Sequence, residues 1–459
     1  MQKIVQLEKC HAIHFIGIGG IGISAAARIS HAFGMRVTGS DITQTGLTRQ
    51  LNKEGITCII GKHSASNVPK DADLIVFSNA LASDNPELKK GQKLGIPSLT
   101  YPEFMGQLMK SYIQLVVTGT HGKSTTTSML AHILIAAGLD PTVIVGAHID
   151  AFQGNARVGL GRHFIIEGDE YKKAFHSYRP YGLIVNNIEA DHLDVYKDEE
   201  AIVRAFKALI KRMPRGGCIA VNIMDSNSIR AVEGAPCKII TYGIGFGDLH
   251  VTNILRKDKF TLFSVSGIDK FDLSILQHGR HNVLNALAAA SLAYMFGIRT
   301  EHIAAGLRSY GGAARRFEIK GTKNGITVVD DYAHHPTAIK ETLRTAKDFF
   351  ANRRIWCIFQ PHSAHRTESL FTSFRGAFTD CDQLIITDTY KVAGRELKAK
   401  RTAKDLAAEI GKRNQPVHYA KNFNDAIKHF TARKKRGDVV ITMGAGTITD
   451  VSGRLLAVI

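Results

Sequence analysis

The chain has 459 residues, 44% apolar and 22% charged, with 42 glycines against 11 prolines, a balance that excludes a disordered or low-complexity protein and leaves room for about three domains. No apolar run reaches the ~18–20 residues of a membrane helix and the first nine residues are polar and mixed in charge, so a cytoplasmic protein with no membrane partner is expected. The formal charge of +18 is spread along the chain, dense only at Arg433–Arg436 and Lys398–Lys404 and without the interleaved aromatics that stack bases; it suits anionic small molecules and speaks against a nucleic-acid partner.

The run Ala12-Ile13-His14-Phe15-Ile16 predicts a strand, Gly17-Ile18-Gly19-Gly20-Ile21-Gly22 a glycine turn, Ser24 to Ala32 a small-residue helix, and Arg36 to Asp41 a second strand. Glycines 17, 19 and 22 meet the G-x-G-x-x-G pattern of a βαβ unit that receives a diphosphate at a helix start. Asp41 follows about twenty residues on, where a ribose-binding acid sits. The spacing alone does not separate a nicotinamide cofactor from another diphosphate. A strand at Leu74–Phe77 and a turn at Asp84-Asn85-Pro86 continue the α/β pattern to about residue 110.

A second strand-turn-helix unit begins at Leu115. Val116-Val117-Thr118 runs into Gly119-Thr120-His121-Gly122-Lys123-Ser124-Thr125 and then into a helix patterned by Met129, Leu130, Ile133 and Leu134. The amides of such a turn are expected to converge on one anion, the lysine to reach the outer phosphates of an NTP, and the hydroxyl after it to suit Mg²⁺. Val117 stands where the standard motif has its first glycine. Two further strands, His163–Ile166 and Gly182–Val185, end in Glu167-Gly168-Asp169-Glu170 and in Asn186 to His192, and ligands in open α/β sheets lie outside such strand ends. Glu167 and His192 are therefore candidates for the phosphate crevice, although imidazole is a less usual partner for Mg²⁺ and Asp191-His192-Leu193-Asp194 also reads as a helix-capping turn.

After a small-residue linker at Tyr310–Ala314, strands are predicted at Thr327–Asp330, Ile355–Phe359, Gln383–Ile386 and Val439–Thr442, alternating with helices. Four histidines, His334, His335, His362 and His365, fall on what read as two neighbouring strand ends, which points to function more than isolated histidines do. Six cysteines at 10, 58, 218, 237, 357 and 381 make no close pair, so reduced core thiols are expected and not a zinc or redox site. Together the elements predict an α/β chain of three domains: N-terminal Rossmann-like (1–111), central P-loop ATPase-type α/β sheet (112–313) and C-terminal Rossmann-like (314–459).

In this order the segments resemble the Mur ligases, the ATP-dependent amide-forming enzymes of peptidoglycan precursor synthesis. The resemblance covers all three domains and rests on Gly119–Thr125, Asn187–His192, Gly279-Arg-His-Asn-Val-Leu-Asn285, Arg315-Arg-Phe-Glu318 and Asp331–Pro336. Within the family, His14–Gly22, Ser83-Asp-Asn-Pro-Glu87, Asn155-Ala-Arg157, Phe359-Gln-Pro-His362 and Met443-Gly-Ala-Gly446 are similar to the branch that joins L-alanine to UDP-N-acetylmuramate.

The resemblance implies that the first domain takes the UDP of the sugar substrate and not NAD. Gly19, Gly20 and Ile21 would then offer amides to the diphosphate, Asp41 would take the uridine end, and His63 and Ser78 would lie near the phosphates. It places ATP on Gly119 to Thr125, with Lys123 on the phosphates, Ser124 and Glu167 on one Mg²⁺ and His192 on a second. His281, Asn282 and Asn285 match the adenine-side motif, though Asn285 also reads as a helix cap. Arg316 would reach the phosphates and Asp331 the ribose, while Asn155, Arg157, Tyr332, His334, His362 and Arg366 would complete the substrate site.

The implied reaction transfers the ATP γ-phosphoryl group to the muramoyl carboxylate, and the amine then attacks the acyl phosphate. Lys123, Arg316 and Mg²⁺ neutralise charge, His192 is a candidate base, and the domains close on the substrates. The protein is expected as a monomer or homodimer. Two departures bear on specificity: Ser363 and Ala364 stand where the alanine-adding branch usually has Arg-Tyr, and Gly168 and Tyr171 depart from its acid-cluster pattern. A Tyr at 171 is also seen in the relative that recycles murein tripeptide onto UDP-N-acetylmuramate, which is the alternative within the family. A nicotinamide-dependent oxidoreductase and a non-catalytic nucleotide-binding protein are the alternatives outside it.

Overall fold

The computed structural model describes residues 5–79, 81–390, 400–413 and 415–459; Lys398 and Ala399 of the second basic stretch lie outside them. The chain forms two compact units. Met1–Glu189, Asp198–Leu276 and Leu284–Gly311 make the first, which holds two sheets, and Ala190–Lys197, Gln277–Val283 and Gly312–Ile459 make the second, which holds a third. Residues 190–197 and 277–283, expected with the central domain, thus group with the third sheet.

The first sheet comprises β1 (Ala12–Ile16), β2 (Arg36–Asp41), β3 (Thr57–Ile60), β4 (Leu74–Phe77) and β5 (Ser98–Thr100), all parallel in the order β3-β2-β1-β4-β5. The chain winds outward in both directions from β1, which leaves a crevice at the carboxyl ends of β1 and β4 beside the glycine turn. The helix expected from Ser24 starts earlier, at Ile21, because Gly20 takes extended backbone angles and serves as its N-cap. Asn85 caps the helix Pro86–Lys93, accepting from the Glu87 amide at 2.8 Å, and Pro86 at its first position costs nothing there because that amide has no helical partner.

The second sheet comprises β6 (Ile113–Thr118), β7 (Thr142–Ile149), β8 (Gly154–Arg157), β9 (His163–Glu167), β10 (Gly182–Val185), β11 (Cys218–Asn222), β12 (Lys238–Ile244), β13 (Leu249–Lys257), β14 (Phe260–Gly267) and β15 (Phe271–Ile275). Their order is β15-β14-β13-β12-β11-β10-β6-β9-β7-β8. From β7 to β13 neighbours run parallel, and the central strands β6, β9 and β10 are apolar runs buried on both faces. The antiparallel β13-β14-β15 edge is absent from the sequence expectations. Its alternating burial marks a sheet with one wet face, a weaker sequence signal than the buried core strands.

The third sheet comprises β16 (Glu318–Lys323), β17 (Ile326–Asp331), β18 (Ile355–Phe359), β19 (Gln383–Thr387), β20 (Val417–Ala420) and β21 (Val439–Met443), in the order β16-β17-β21-β18-β19-β20, with only β16 antiparallel. Successive residues feed opposite faces: Val329, Cys357, Phe359 and Ile441 join one buried cluster, Val328, Trp356, Ile358 and Val440 another. The strands that end in histidines are not neighbours as expected, because β21 lies between β17 and β18. No cysteine is disulfide-bonded among the described residues. Cys10, Cys218, Cys357 and Cys381 are buried, whereas Cys58 and Cys237, expected in the core, are only half-buried.

Candidate active site

The phosphate loop follows β6 and closes on the helix Lys123–Ala136. Gly119 and Gly122 have φ of +132° and +81°, backbone angles that side chains resist, and a Cβ on Gly119 would come within 2.9 Å of the Asn186 Cβ. Val117, out of place in a standard phosphate-loop motif, is an inner residue of β6, fully buried and paired to Glu167 of β9 and Ile184 of β10. β6 runs on through Thr118, and the first glycine at positive φ after it is Gly119.

Not all the loop amides face one anion, as the motif alone suggests. Thr120 N–H donates to the Asn187 carbonyl at 2.9 Å and His121 N–H to Asn187 Oδ1 at 2.8 Å. Asn186 Nδ2 donates to Thr126 Oγ1 at 3.1 Å, and Glu189 N–H donates to Thr120 Oγ1 at 2.9 Å. The segment after β10 therefore braces the loop, and the amides of Gly122 and the first helical turn are the candidates to receive an anion. Asn285 is no cap: it lies inside the helix Arg280–Met295, with its Oδ1 against Gly122.

The Lys123 ammonium donates to the Gly119 carbonyl at 2.6 Å and to both oxygens of Glu170, at 3.1 and 3.2 Å. Burial by itself would lower the Lys123 pKa; the carboxylates of Glu170, Asp169 and Glu167 outweigh it and raise the pKa overall. Ser124 is buried beside this group, and Glu167 at the end of β9 accepts from the Gly146 amide. A hydroxyl and carboxylates are hard oxygen donors of the kind Mg²⁺ takes, so the residues fit that ion. Glu170, half of the lysine's environment, carried no separate sequence signal beyond its acid-rich strand end.

At the first sheet the glycine-turn amides are also partly used. Gly19 N–H donates to Asp41 Oδ2 at 2.9 Å and Gly20 N–H to the Gly17 carbonyl at 3.0 Å, so Asp41, expected on the uridine, here latches the turn. Ser78 stands beside Gly17, whose Cβ would lie 3.5 Å from that of Ser78. His63 is held through Nδ1, 2.8 Å from Glu87 Oε1. Glu87, which closes the Ser83–Glu87 motif but was expected in no site role, is fully buried and also receives His14 Nε2 at 2.9 Å, Ser40 Oγ at 2.7 Å and Asn67 Nδ2 at 2.9 Å. Burial alone would raise its pKa; these four donors bring it down to about 2.

Asn155 and Arg157 find partners other than the substrate contacts expected of them. Asn155 is fully buried, accepts from the Arg28 guanidinium and donates to the Ile21 carbonyl and, at 3.0 Å, to Ser24 Oγ, joining β8 to the helix Ile21–Ala32. Arg157 donates to the Pro141 carbonyl at 2.7 Å and pairs with Asp140. Both are spent on holding backbone segments together, as buried amides and guanidiniums commonly are.

In the second unit the residues after β17 and β18 gather. The guanidinium groups of Arg315 and Arg316 each lie 5.0 Å from the centre of the Tyr332 ring. Asp331, expected on a ribose, is buried and accepts from the Phe317 and Ala333 amides, each at 2.7 Å; burial raises its pKa. It clasps the turn on which Arg316 stands, between Arg315 and Phe317 at φ of +61° and +51°. Asn282 donates Nδ2 to the His278 carbonyl at 2.8 Å, and burial pushes His281 down to about 4.

His334 and His362 have ring centres 5.6 Å apart, and the His362 ring stacks on Tyr390. Desolvation and the Arg366 and His362 charges hold the His334 pKa well below its usual value. His335 is an N-cap, accepting from the Thr337 amide at 3.3 Å. Arg366 pairs with Asp191 at 2.6 Å and points its Nη1 at His362 Nδ1, 3.2 Å away. Asp191 is therefore no helix cap, and no helix begins there. His192 follows at φ of +52°, its N–H donating to Asp191 Oδ1 at 2.7 Å.

The chain matches three families in succession: Mur ligase family, catalytic domain, over residues 12–113; Mur ligase middle domain over residues 117–293; and Mur ligase, glutamate ligase domain, over residues 315–446. It is 42% identical over 445 residues to the UDP-N-acetylmuramate–L-alanine ligase of Clostridium perfringens, covering 96% of each chain. The protein of the same name from Acetivibrio thermocellus is 40% identical over 466 residues, covering 99% of this chain and 97% of that one. Among solved structures, the UDP-N-acetylmuramate-alanine ligase MurC of Thermotoga maritima superposes with a TM-score of 0.84 at 29% identity, covering 97% of this chain and 98% of that one. A murein peptide ligase of Psychrobacter arcticus superposes with a TM-score of 0.74 at 28% identity, covering 98% of each. With three Mur ligase family matches in succession along the chain, a lysine-tipped phosphate loop after β6 and full-length relatives at this identity, the chain belongs to the Mur ligase family.

Proposed function

We propose that the protein is an ATP-dependent ligase that joins L-alanine to the carboxylate of UDP-N-acetylmuramate through an acyl phosphate, a cytoplasmic step of peptidoglycan precursor synthesis. The reading is carried by one unit holding both a glycine-turn sheet and a lysine-tipped phosphate loop, in a chain whose relatives along its whole length bear that ligase name. Residues 1–111 would bind the nucleotide sugar, 112–313 ATP and 314–459 the amino acid. Family membership leaves the glycine turn without a nicotinamide role.

A carboxylate resists attack by an amine until one oxygen becomes a leaving group, and phosphorylation supplies that. The Lys123 ammonium exchanges Glu170 for the ATP phosphates and neutralises the charge that develops on the transferred phosphoryl group, with Arg316 as the second cation. The first-turn amides after Gly122 orient the phosphates, and Asn285 closes the loop's outer side. Ser124 and Glu167 would hold Mg²⁺, which when bound screens the phosphate charges. The amino-acid amine then attacks the acyl carbon and phosphate leaves. Tyr332, His334, His362 and Arg366 form the proposed amino-acid side, and His192 is the proposed base for the amine proton.

The test is phosphate release from ATP with Mg²⁺ and UDP-N-acetylmuramate, with L-alanine, glycine, L-serine and the murein tripeptide as separate acceptors. L-alanine is expected to give the largest kcat/KM. Preference for the tripeptide would favour the recycling activity, to which Tyr171, Ser363 and Ala364 are the pointers, and silence with every acceptor would remove the ligase reading.

A further inference from the structure

Glu87 is the most heavily engaged carboxylate of the first sheet and has no place in the reaction above. It is fully buried, a costly position for a charge, and four side chains from three segments satisfy it: His14 on β1, Ser40 on β2, and His63 and Asn67 from the stretch after β3. It also stands in the first turn of the helix Pro86–Lys93, whose start favours negative charge. An apolar side chain would fill such a core site more cheaply if packing were its only purpose.

Two of its contacts lead to the diphosphate crevice. The Ser40 carbonyl accepts the Gly17 and Ile18 amides at 2.8 and 3.0 Å, so the residue whose hydroxyl Glu87 fixes also anchors the glycine turn. The His63 ring, 17% exposed, is gripped by Nδ1 alone. Because Nδ1 is committed to the carboxylate, Nε2 is the ring nitrogen left for a ligand.

We propose that Glu87 is a positioning residue for the nucleotide sugar: it accepts from Nδ1–H of the His63 ring and so aims the ring's second donor, Nε2–H of the imidazolium form, at the diphosphate oxygens. The inference rests on the assignment of the first sheet to the UDP-sugar. A carboxylate fixing one nitrogen of a histidine so that the other faces a ligand is a general arrangement at metal and catalytic sites; here the ligand is a diphosphate. Asn67 and His63 share Oε1 of the carboxylate, while His14 and Ser40 share Oε2, and Ser40 Oγ, 3.3 Å from His63 Nδ1, bridges the two sides.

The experiment is a double-mutant cycle on Glu87→Gln and His63→Ala, read as KM for UDP-N-acetylmuramate, KM for ATP and kcat. Glu87→Gln is expected to raise the nucleotide-sugar KM about tenfold, with kcat and the ATP KM within about twofold, and to add almost nothing in the His63→Ala background. An unchanged nucleotide-sugar KM, or effects of the two changes that multiply, would overturn the proposal. Independently of how the variants fold, ring-nitrogen shifts in the histidine-labelled wild-type protein with UDP bound should show His63 protonated at both nitrogens; either nitrogen left without a proton would overturn it too. Binding of UDP by calorimetry separates this inference from the ligase reading. Wild type that binds UDP but turns over no acceptor refutes only the latter, whereas UDP binding equally tight in Glu87→Gln refutes the positioning role.

Discussion

The Arg366 guanidinium meets the Asp191 carboxylate with Nη2 at 2.6 Å from Oδ1 and 3.0 Å from Oδ2, and with Nε at 3.1 Å from Oδ1; both side chains are only 10% exposed. This pair ties the segment after the Asn186–Glu189 stretch to the helix that starts at Ala364. It commits the arginine that sequence motifs assign to the amino-acid pocket. A ligand carboxylate at Arg366 has the remaining nitrogen, Nη1, which faces His362.

Breaking this pair on one side leaves a buried charge without its partner. Asp191→Asn is expected to lower stability at pH 7 by ~3–5 kcal/mol, measured as the shift in urea unfolding. The pH dependence has a defined sign. Burial would raise the Asp191 pKa, but the Arg366 charge and hydrogen bonds hold it well below the usual carboxylate range. The stabilisation is therefore complete above the unfolded pKa of about 4 and falls away only in stronger acid. The wild-type advantage over Asp191→Asn should be flat from pH 8 to 5 and shrink at pH 3; an advantage that declines between pH 8 and 6 would contradict the assignment.

Lys123 should be required for turnover and not for folding. Lys123→Met is expected to reduce kcat by roughly 10²–10³-fold or more in protein that still folds, with a thermal midpoint lowered by the loss of the partner of buried Glu170. Because neighbouring carboxylates raise its pKa above the usual lysine value, Lys123 stays charged throughout the neutral range. Any alkaline fall in activity below about pH 9 should therefore survive in Lys123→Arg. A loss of activity no larger than the loss of folded protein would make the lysine a structural residue.

Gly168 separates the phosphate loop strand from the acid cluster by contact distance. A Cβ there would lie 2.6 Å from Thr118 Cγ2 and 2.7 Å from Val116 Cγ1, both on β6. Gly168→Ala should destabilise the first unit by ~1–3 kcal/mol, visible in thermal unfolding. Alanine is usual at this position in the alanine-adding branch, so an unchanged midpoint would mean that β6 yields and that the close approach is not a constraint.

Asn155 offers a direct contrast between a substrate ligand and a structural joint. Asn155→Ala leaves the Ile21 carbonyl and the Arg28 guanidinium each short of a partner. Stability should fall by ~1–3 kcal/mol with the KM for every substrate within about twofold. A KM effect confined to UDP-N-acetylmuramate, without loss of stability, would restore the substrate role.

Local pattern was enough to read the strand-turn-helix units around Gly17–Gly22 and Gly119–Ser124, the apolar core strands and the acid- and histidine-rich strand ends. Each rests on neighbours in sequence: β-branched runs, glycines where the backbone must turn, and a lysine that opens the helix directly after its loop. Partnerships formed across long loops were beyond it. Nothing near Glu87 announces His14 or Ser40, nothing near Arg366 announces Asp191, and the insertion of β21 between β17 and β18 separates strand ends that seem adjacent along the chain. Which side chains are free for a ligand was likewise a tertiary outcome. Buried polar groups must find partners wherever folding brings them, and so Asn155, Asp331 and two amides of the phosphate loop are spent on holding the backbone.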